Sequence, residues 1–199
     1  VAHTIFEWRK RQDDPAAGVA LAFRGKHFND RNVSRVYIPP TQYQGRVGAV
    51  RFRRGDADFC IIVAYILVEP HTQAQKQYSA QLWQWIQHLL DQLPSRGLHI
   101  LLLDANGRVG MESSQCVGNS EPEGKTTTVP CYMSVCNIII YYHLFAVNTW
   151  YPCGPTYFGQ FGNNSRIDYI CLPQSKKTSV QACTVPHSAG DGLQCISAR

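Results

Sequence analysis

Hydrophobic and polar positions along the chain change their period several times. Residues 18–23 form a short apolar run between a Pro-Ala-Ala turn and Arg24-Gly25, which predicts a buried strand. Residues 46–54 set Val47, Ala49 or Val50, and Phe52 among Arg51, Arg53 and Arg54, predicting a half-exposed strand with a basic outer face. Gly55-Asp56-Ala57-Asp58 reads as a hairpin turn. The continuous apolar run at 59–68 suits a central strand buried on both faces. Over 73–93 the period changes, with Tyr78, Leu82, Trp85 or Ile86, Leu89 and Leu93 at steps of three and four. That is one apolar stripe on a helix, stopped by Pro94-Ser95-Arg96-Gly97. Residues 98–103 predict the next buried strand, and the polar stretch 111–130 a long surface loop. The segment 132–145 fits helix or strand, because Ile138-Ile139-Ile140 is β-branched. Residues 148–162 carry turns and aromatics, 166–172 predict a strand, and 180–185 one more. Hairpins mixed with helices predict a layered α+β sandwich. No internal repeat divides the chain, so 1–199 is expected to be a single domain.

Composition narrows the class only a little. Of the 199 residues 44% are apolar and 17% charged, a globular balance that excludes a disordered chain. The net charge of +5 permits a polyanionic partner without requiring one. There are 8 cysteines, yet no CxxC pair for a zinc knuckle and no secretory signal at the start. Cys60 and others lie in apolar runs, so reduced buried thiols in an intracellular protein are expected. No apolar run reaches the roughly 20 residues of a membrane helix, and no membrane partner is expected. The chain opens on Val and ends on Ser-Ala-Arg, as a piece of a longer polypeptide or polyprotein would.

Four places along the chain could carry chemistry. The strand Leu101-Leu102-Leu103 ends in Asp104-Ala105-Asn106, setting a carboxylate and an amide at the strand's carboxyl edge. Asp104 could take a proton from water and Asn106 could orient a phosphate oxygen or a metal ligand. Taken alone the pattern is weak, since the following Gly107 suits a plain turn. Asp168 interrupts an apolar strand in Ser165-Arg166-Ile167-Asp168-Tyr169-Ile170. A carboxylate there is costly unless it pairs with Arg166, lies in water, or holds a histidine or metal. Tyr65 ends the central strand, where its hydroxyl could reach a phosphate or simply be satisfied in the core. Asn148-Thr149, and Thr156 within Gly154-Pro155-Thr156-Tyr157, are polar groups beside an apolar strand or else turn formers.

In order, Gly-Val-Ala, a strand ending in Tyr, a helix, Leu-Leu-Leu-Asp-x-Asn, Asn-Thr, Gly-Pro-Thr-Tyr and Ser-Arg-Ile-Asp-Tyr-Ile resemble the endonuclease/exonuclease/phosphatase superfamily. The resemblance runs from about Gly18 to about Leu193 and is strongest to endonucleases of non-LTR retrotransposons. It implies a four-layered α/β sandwich of the DNase I-like kind, here truncated at both ends. It implies Mg²⁺-dependent hydrolysis of phosphoesters, with Mn²⁺ as a substitute, and DNA as the partner in the nucleus. RNA, inositol phosphates or lipids are the alternative substrates. By the same resemblance Asp104 activates or orients the water, and Asn106 steadies the phosphate. Both would stand at the metal, whose preference is for hard oxygen ligands. Tyr65 would contact the scissile phosphate and Asp168 would orient a histidine. Asn148, Thr156 and Arg166 would line the substrate side.

The family carries a Gln-Glu pair ahead of its Gly-Val-Ala strand and a closing Ser-Asp-His. Neither is present here. Glu7 stands alone in Phe6-Glu7-Trp8, where a surface position is expected. His187 lies in Pro186-His187-Ser188-Ala189-Gly190-Asp191, with the order reversed. After Tyr65 the family's proline is replaced by Ile66-Leu67, with Pro70 further on. The 199 residues by themselves are therefore expected to turn over little substrate, or to be a catalytically dead fragment.

Overall fold

A six-stranded mixed sheet forms the centre of the computed structural model, which describes residues 3–9, 14, 17–24, 30–68, 70–109, 115–118, 131–158, 164–184 and 194–197. The elements in chain order are β1 (His3–Trp8), β2 (Val19–Arg24), β3 (Val33–Tyr37), β4 (Val47–Arg54), β5 (Ala57–Tyr65), α1 (Gln73–Asp91), β6 (Leu98–Asp104), α2 (Cys131–Tyr141), β7 (Leu144–Ala146), β8 (Tyr157–Phe158), β9 (Asn164–Ser165), β10 (Asp168–Pro173), β11 (Val180–Thr184) and β12 (Gln194–Ser197). The sheet order is β3-β4-β5-β6-β10-β7. Only β5 and β6 run parallel, and α1 supplies the crossover that a parallel pair needs.

Side-chain alternation gives the sheet two apolar faces. One face presents Ala49, Cys60, Ile62, Ala64, Leu101, Leu103, Tyr169 and Cys171 to the helices, where Leu82, Ile86, Leu89, Ile138 and Ile139 cover it. The other presents Val50, Phe52, Ile61 and Val63 to the β1–β2 hairpin, whose Phe6, Trp8, Leu21 and Phe23 fill the gap. Further along that face Phe145, Ile170 and Leu172 meet Val180 and Cys183 of β11, which pairs with β12. Among the described residues the layers are helices, the main sheet, and a second layer of two strand pairs. Gly48 is what allows β1 to lie so close, since a Cβ there would enter the Trp8 ring. Trp8 in turn donates its indole N–H to the Tyr37 carbonyl at 3.1 Å.

The helix predicted over 73–93 begins with a capping box. The Thr72 hydroxyl accepts from the Gln75 backbone N–H and the Gln75 side chain accepts from the Thr72 N–H, both at 3.1 Å. The ambiguous segment 132–145 is both elements in succession. Helix α2 ends at Tyr141, His143 takes a left-handed φ of 50°, and β7 follows. Burial of Ile138 and Ile139 on one helical stripe overrides their strand propensity. Strand β4 departs from the half-exposed expectation. Val47, Gly48, Ala49, Val50 and Phe52 are all buried because both faces of the strand are covered, and only its last arginines reach solvent. Strands β1, β3 and β7, and the short β8 and β9, had no clear period in the sequence. Of the loop expected over 111–130, residues 115–118 form a turn and the others lie outside the described residues. Six cysteines, Cys60, Cys116, Cys136, Cys153, Cys171 and Cys183, are buried free thiols, as their apolar neighbours imply.

Candidate active site

Strand register brings the candidate residues together. Asp104 stands opposite Asp168 in the antiparallel β6–β10 pair, and beside Tyr65 in the parallel β5–β6 pair. Leu101 and Leu103 face the helices, so Asp104 falls on the opposite face, as do Tyr65 and Asp168 on their own strands. Those three side chains thus share one end of the sheet, on the face covered by the second layer. They line a cleft of about 460 Å³ with Gly18, Val19, Val63, Leu102 and Ile170.

The two carboxylates are electrostatically poised against ionisation. Burial pushes Asp104 up to about 6, and the neighbouring Asp168 charge adds to it. The Asn106 N–H, donated to Asp104 Oδ1 at 3.1 Å, and the more distant Arg46 charge pull the other way. Burial also raises Asp168, opposed by the Thr156 hydroxyl. A carboxyl that titrates near neutrality is a better proton acceptor than an ordinary aspartate. Two facing carboxylates with raised affinity for positive charge are also what a hard divalent cation neutralises. The Asp104 carboxylate is a hard oxygen donor of the kind Mg²⁺ takes, whereas Asn106, with its Nδ2 on the Ile66 carbonyl, is not among the described residues that line the cleft. No cluster of three or more His, Cys, Asp or Glu is present among the described residues, so water and substrate oxygens would complete the shell.

Asn106 is held at the turn by its left-handed φ of 46° and by an Nδ2 bond to the Ile66 carbonyl at 2.7 Å. That bond ties the exits of β6 and β5 together beside Tyr65. The structure places Asn148, Thr156 and Arg166 around the strand that carries Asp168, and none of the three lines the cleft. Asn148 is fully buried. Its Nδ2 donates to the Asp168 carbonyl at 2.8 Å and its Oδ1 accepts the Ile170 N–H at 3.3 Å. The Thr156 Oγ1 accepts the Ile167 and Asp168 N–H groups, each at 3.1 Å. Arg166 is 2% exposed and donates its Nε to the Gly154 carbonyl at 3.1 Å. Glu7 lies on β1 with its side chain half exposed and bonded to Arg9 at 3.4 Å. His187 lies outside the described residues.

One residue near the cleft gave no signal in the sequence. Arg46 precedes β4 and is buried, with its guanidinium carbon 4.6 Å from the Tyr65 ring centroid. It read as one more cation of a basic strand. Only its place directly before the apolar Val47-Gly48-Ala49-Val50 hinted at burial.

Comparison with known proteins agrees with this architecture. No family model matches the chain, and no curated protein matches it by sequence. Solved structures do match. The endonuclease domain of TRAS1, a telomere-specific non-LTR retrotransposon, superposes with a TM-score of 0.64 at 14% identity, over 99% of this chain and 80% of that one. The AP endonuclease LMAP from Leishmania major gives 0.67 at 13% identity, over 97% and 68%. The 3'-5' exonuclease NExo from Neisseria meningitidis gives 0.63 at 15% identity, over 97% and 77%. Together with the sheet order and the layer arrangement, these likenesses show that the chain has the α+β, DNase I-like fold of the endonuclease/exonuclease/phosphatase structures.

Proposed function

We propose that the cleft at the end of β5, β6 and β10 is a metal-assisted phosphodiesterase site acting on nucleic acid, with DNA cut internally as the substrate. The register that sets Asp104 opposite Asp168 and beside Tyr65 carries this reading. Proteins of the same fold include an endonuclease domain, an AP endonuclease and an exonuclease, and another matching structure is a 3' phosphatase bound to a product DNA hairpin. Phosphoester hydrolysis needs an aligned water, a neutraliser for developing negative charge, and donors fixed in advance. Asp104 accepts the proton of the attacking water, and Asn106 and Tyr65 hold phosphate oxygens. Asp168 orients the group that protonates the leaving oxygen. Asp104 and Asn106 would hold Mg²⁺, or Mn²⁺ in its place, which would supply Lewis acidity.

A second reading has a specific observation behind it. Among the described residues that line the cleft there is no glutamate and no histidine. The 199 residues alone are accordingly expected to bind nucleic acid and cleave it slowly if at all. The test is nicking of supercoiled plasmid in Mg²⁺ by the 199 residues and by the product of the complete reading frame. The complete product should nick, and Asp104→Ala should slow it on the order of 10²-fold or more, about 2.7 kcal/mol of transition-state stabilisation. Equal rates in Asp104→Ala, or no cleavage of any nucleic acid by the complete product, would remove the enzyme reading.

A further inference from the structure

Arg46 stands between the two walls of the cleft and touches the supports of both. Its side chain is 4% exposed, and its Nε and Nη2 each donate to one oxygen of the Asp14 carboxylate at 2.8 Å. The Asp14 carbonyl accepts the Ala17 N–H at 3.1 Å, and the Gly18 N–H donates to the Gly45 carbonyl, beside Arg46, at 2.8 Å. The grip on Asp14 therefore anchors the carbonyl that holds Ala17, directly before Gly18 and Val19 of one cleft wall. On the other side the guanidinium lies over the Tyr65 ring at 4.6 Å, and the Arg46 carbonyl accepts the Tyr65 N–H at 2.7 Å.

A guanidinium taken out of water is costly unless it is fully engaged. Here its fork meets a carboxylate and its flat face meets a ring, two contacts that the point charge of lysine cannot make together. Burial keeps Arg46 from substrate, so it acts through Tyr65, through Asp14 and, at a distance, through the charge it presents to Asp104.

We propose that Arg46 is a positioning residue of the phosphodiesterase site, setting the Tyr65 ring through its guanidinium face and the opposite wall through Asp14. This rests on the reading of the cleft given above. The test is a kinetic cycle in the complete product. Arg46→Met should lower kcat by about tenfold to a hundredfold, since displacements near 1 Å at a reacting centre cost that much. Most of that loss should vanish in a Tyr65→Phe background, because both changes act through one hydroxyl. Asp14→Asn keeps the stacked cation and loosens the turn, so it should raise KM severalfold with kcat within about twofold. Arg46→Lys should recover no more than part of the loss. Arg96→Met, at the far end of the sheet, should leave both constants unchanged. Equal losses from Arg46→Met with and without the Tyr65 hydroxyl would overturn the proposal and leave Arg46 as a structural ion pair.

A second readout separates this proposal from the function it rests on. In ¹³C-tyrosine-labelled protein the Tyr65 ring signal is identified by its loss in Tyr65→Phe. It should move in Arg46→Met and stay in Arg96→Met even if no nuclease activity exists. An unmoved Tyr65 signal in folded Arg46→Met would overturn the positioning role directly.

Discussion

The two ends of the central sheet each hold a partly buried aspartate, and the two behave in opposite ways. At the carboxyl end of β6, burial and the facing Asp168 raise Asp104 to about 6. At the other end, Asp58 at the start of β5 is held below the usual carboxylate range by the Arg51 fork, whose Nε and Nη2 donate to it at 2.8 and 2.5 Å. Arg53 adds its charge at 3.7 Å. That end opens into a bowl of about 770 Å³ lined by Asp58, Arg96, His99, Tyr141 and Lys176 among others. One aspartate is held by an arginine fork of its own chain, and the other faces a second carboxylate and accepts the Asn106 N–H. On the proposed function, that difference separates a structural carboxylate from a functional one more sharply than residue type or burial does.

The largest expected effect tests the functional end. Asp168→Ala in the complete product should slow DNA cleavage on the order of 10²-fold, with little change in melting temperature, measured by plasmid nicking and calorimetry. A full-rate Asp168→Ala enzyme would mean that the two carboxylates do not act together. Next comes the structural end. Asp58→Ala leaves the Arg51 guanidinium, only 19% exposed, without its carboxylate and should cost about 2 kcal/mol in urea denaturation. Catalytic rate in that variant should hold.

Smaller still is a gain. Asp104 keeps its proton up to about pH 6 when folded, whereas an unfolded aspartate releases it near pH 4. Between those values the native state holds more protons, so stability falls as pH rises through the window, and the penalty is complete above it. Asp104→Asn should therefore stabilise the fold at pH 7.5, by about 1 kcal/mol after solvent screening, with the gain fading toward pH 4. Asp58 has the reverse sign. Its folded value lies below the unfolded one, so its contribution is present above the unfolded value and is lost as pH falls through the folded value. Denaturation curves of Asp104→Asn and Asp58→Asn against pH should diverge in opposite directions from the wild type. Parallel curves would erase the distinction between the two ends. The smallest effect belongs to Arg53, whose side chain is 49% exposed. Arg53→Gln should cost no more than about 0.5 kcal/mol, and nothing measurable in high salt.

Much of the site was legible because its residues mark strand ends. Leu101-Leu102-Leu103 followed by Asp104 announces a buried strand delivering a carboxylate, and Asp168 stands out against Ile167, Tyr169 and Ile170. The supporting residues were harder to read. Asn148 and Thr156 read either as groups facing a ligand or as turn formers, yet the first bonds the Asp168 and Ile170 backbone of β10 and the second accepts the Ile167 and Asp168 N–H groups. A polar side chain beside a strand satisfies backbone or ligand equally well on paper. Arg51 looked like part of a basic face until its carboxylate partner seven positions away folded onto it.

Local pattern alone determined the strands with long apolar runs, the capped helix α1 and the two acidic strand ends, because these depend on residues close in sequence. Tertiary structure decided which aspartate is paired and which is not, and that the run of three isoleucines is helical. It also decided that Arg46 is buried between Asp14 and Tyr65. Each of those outcomes depends on contacts between distant segments, whose energies no single stretch of sequence contains.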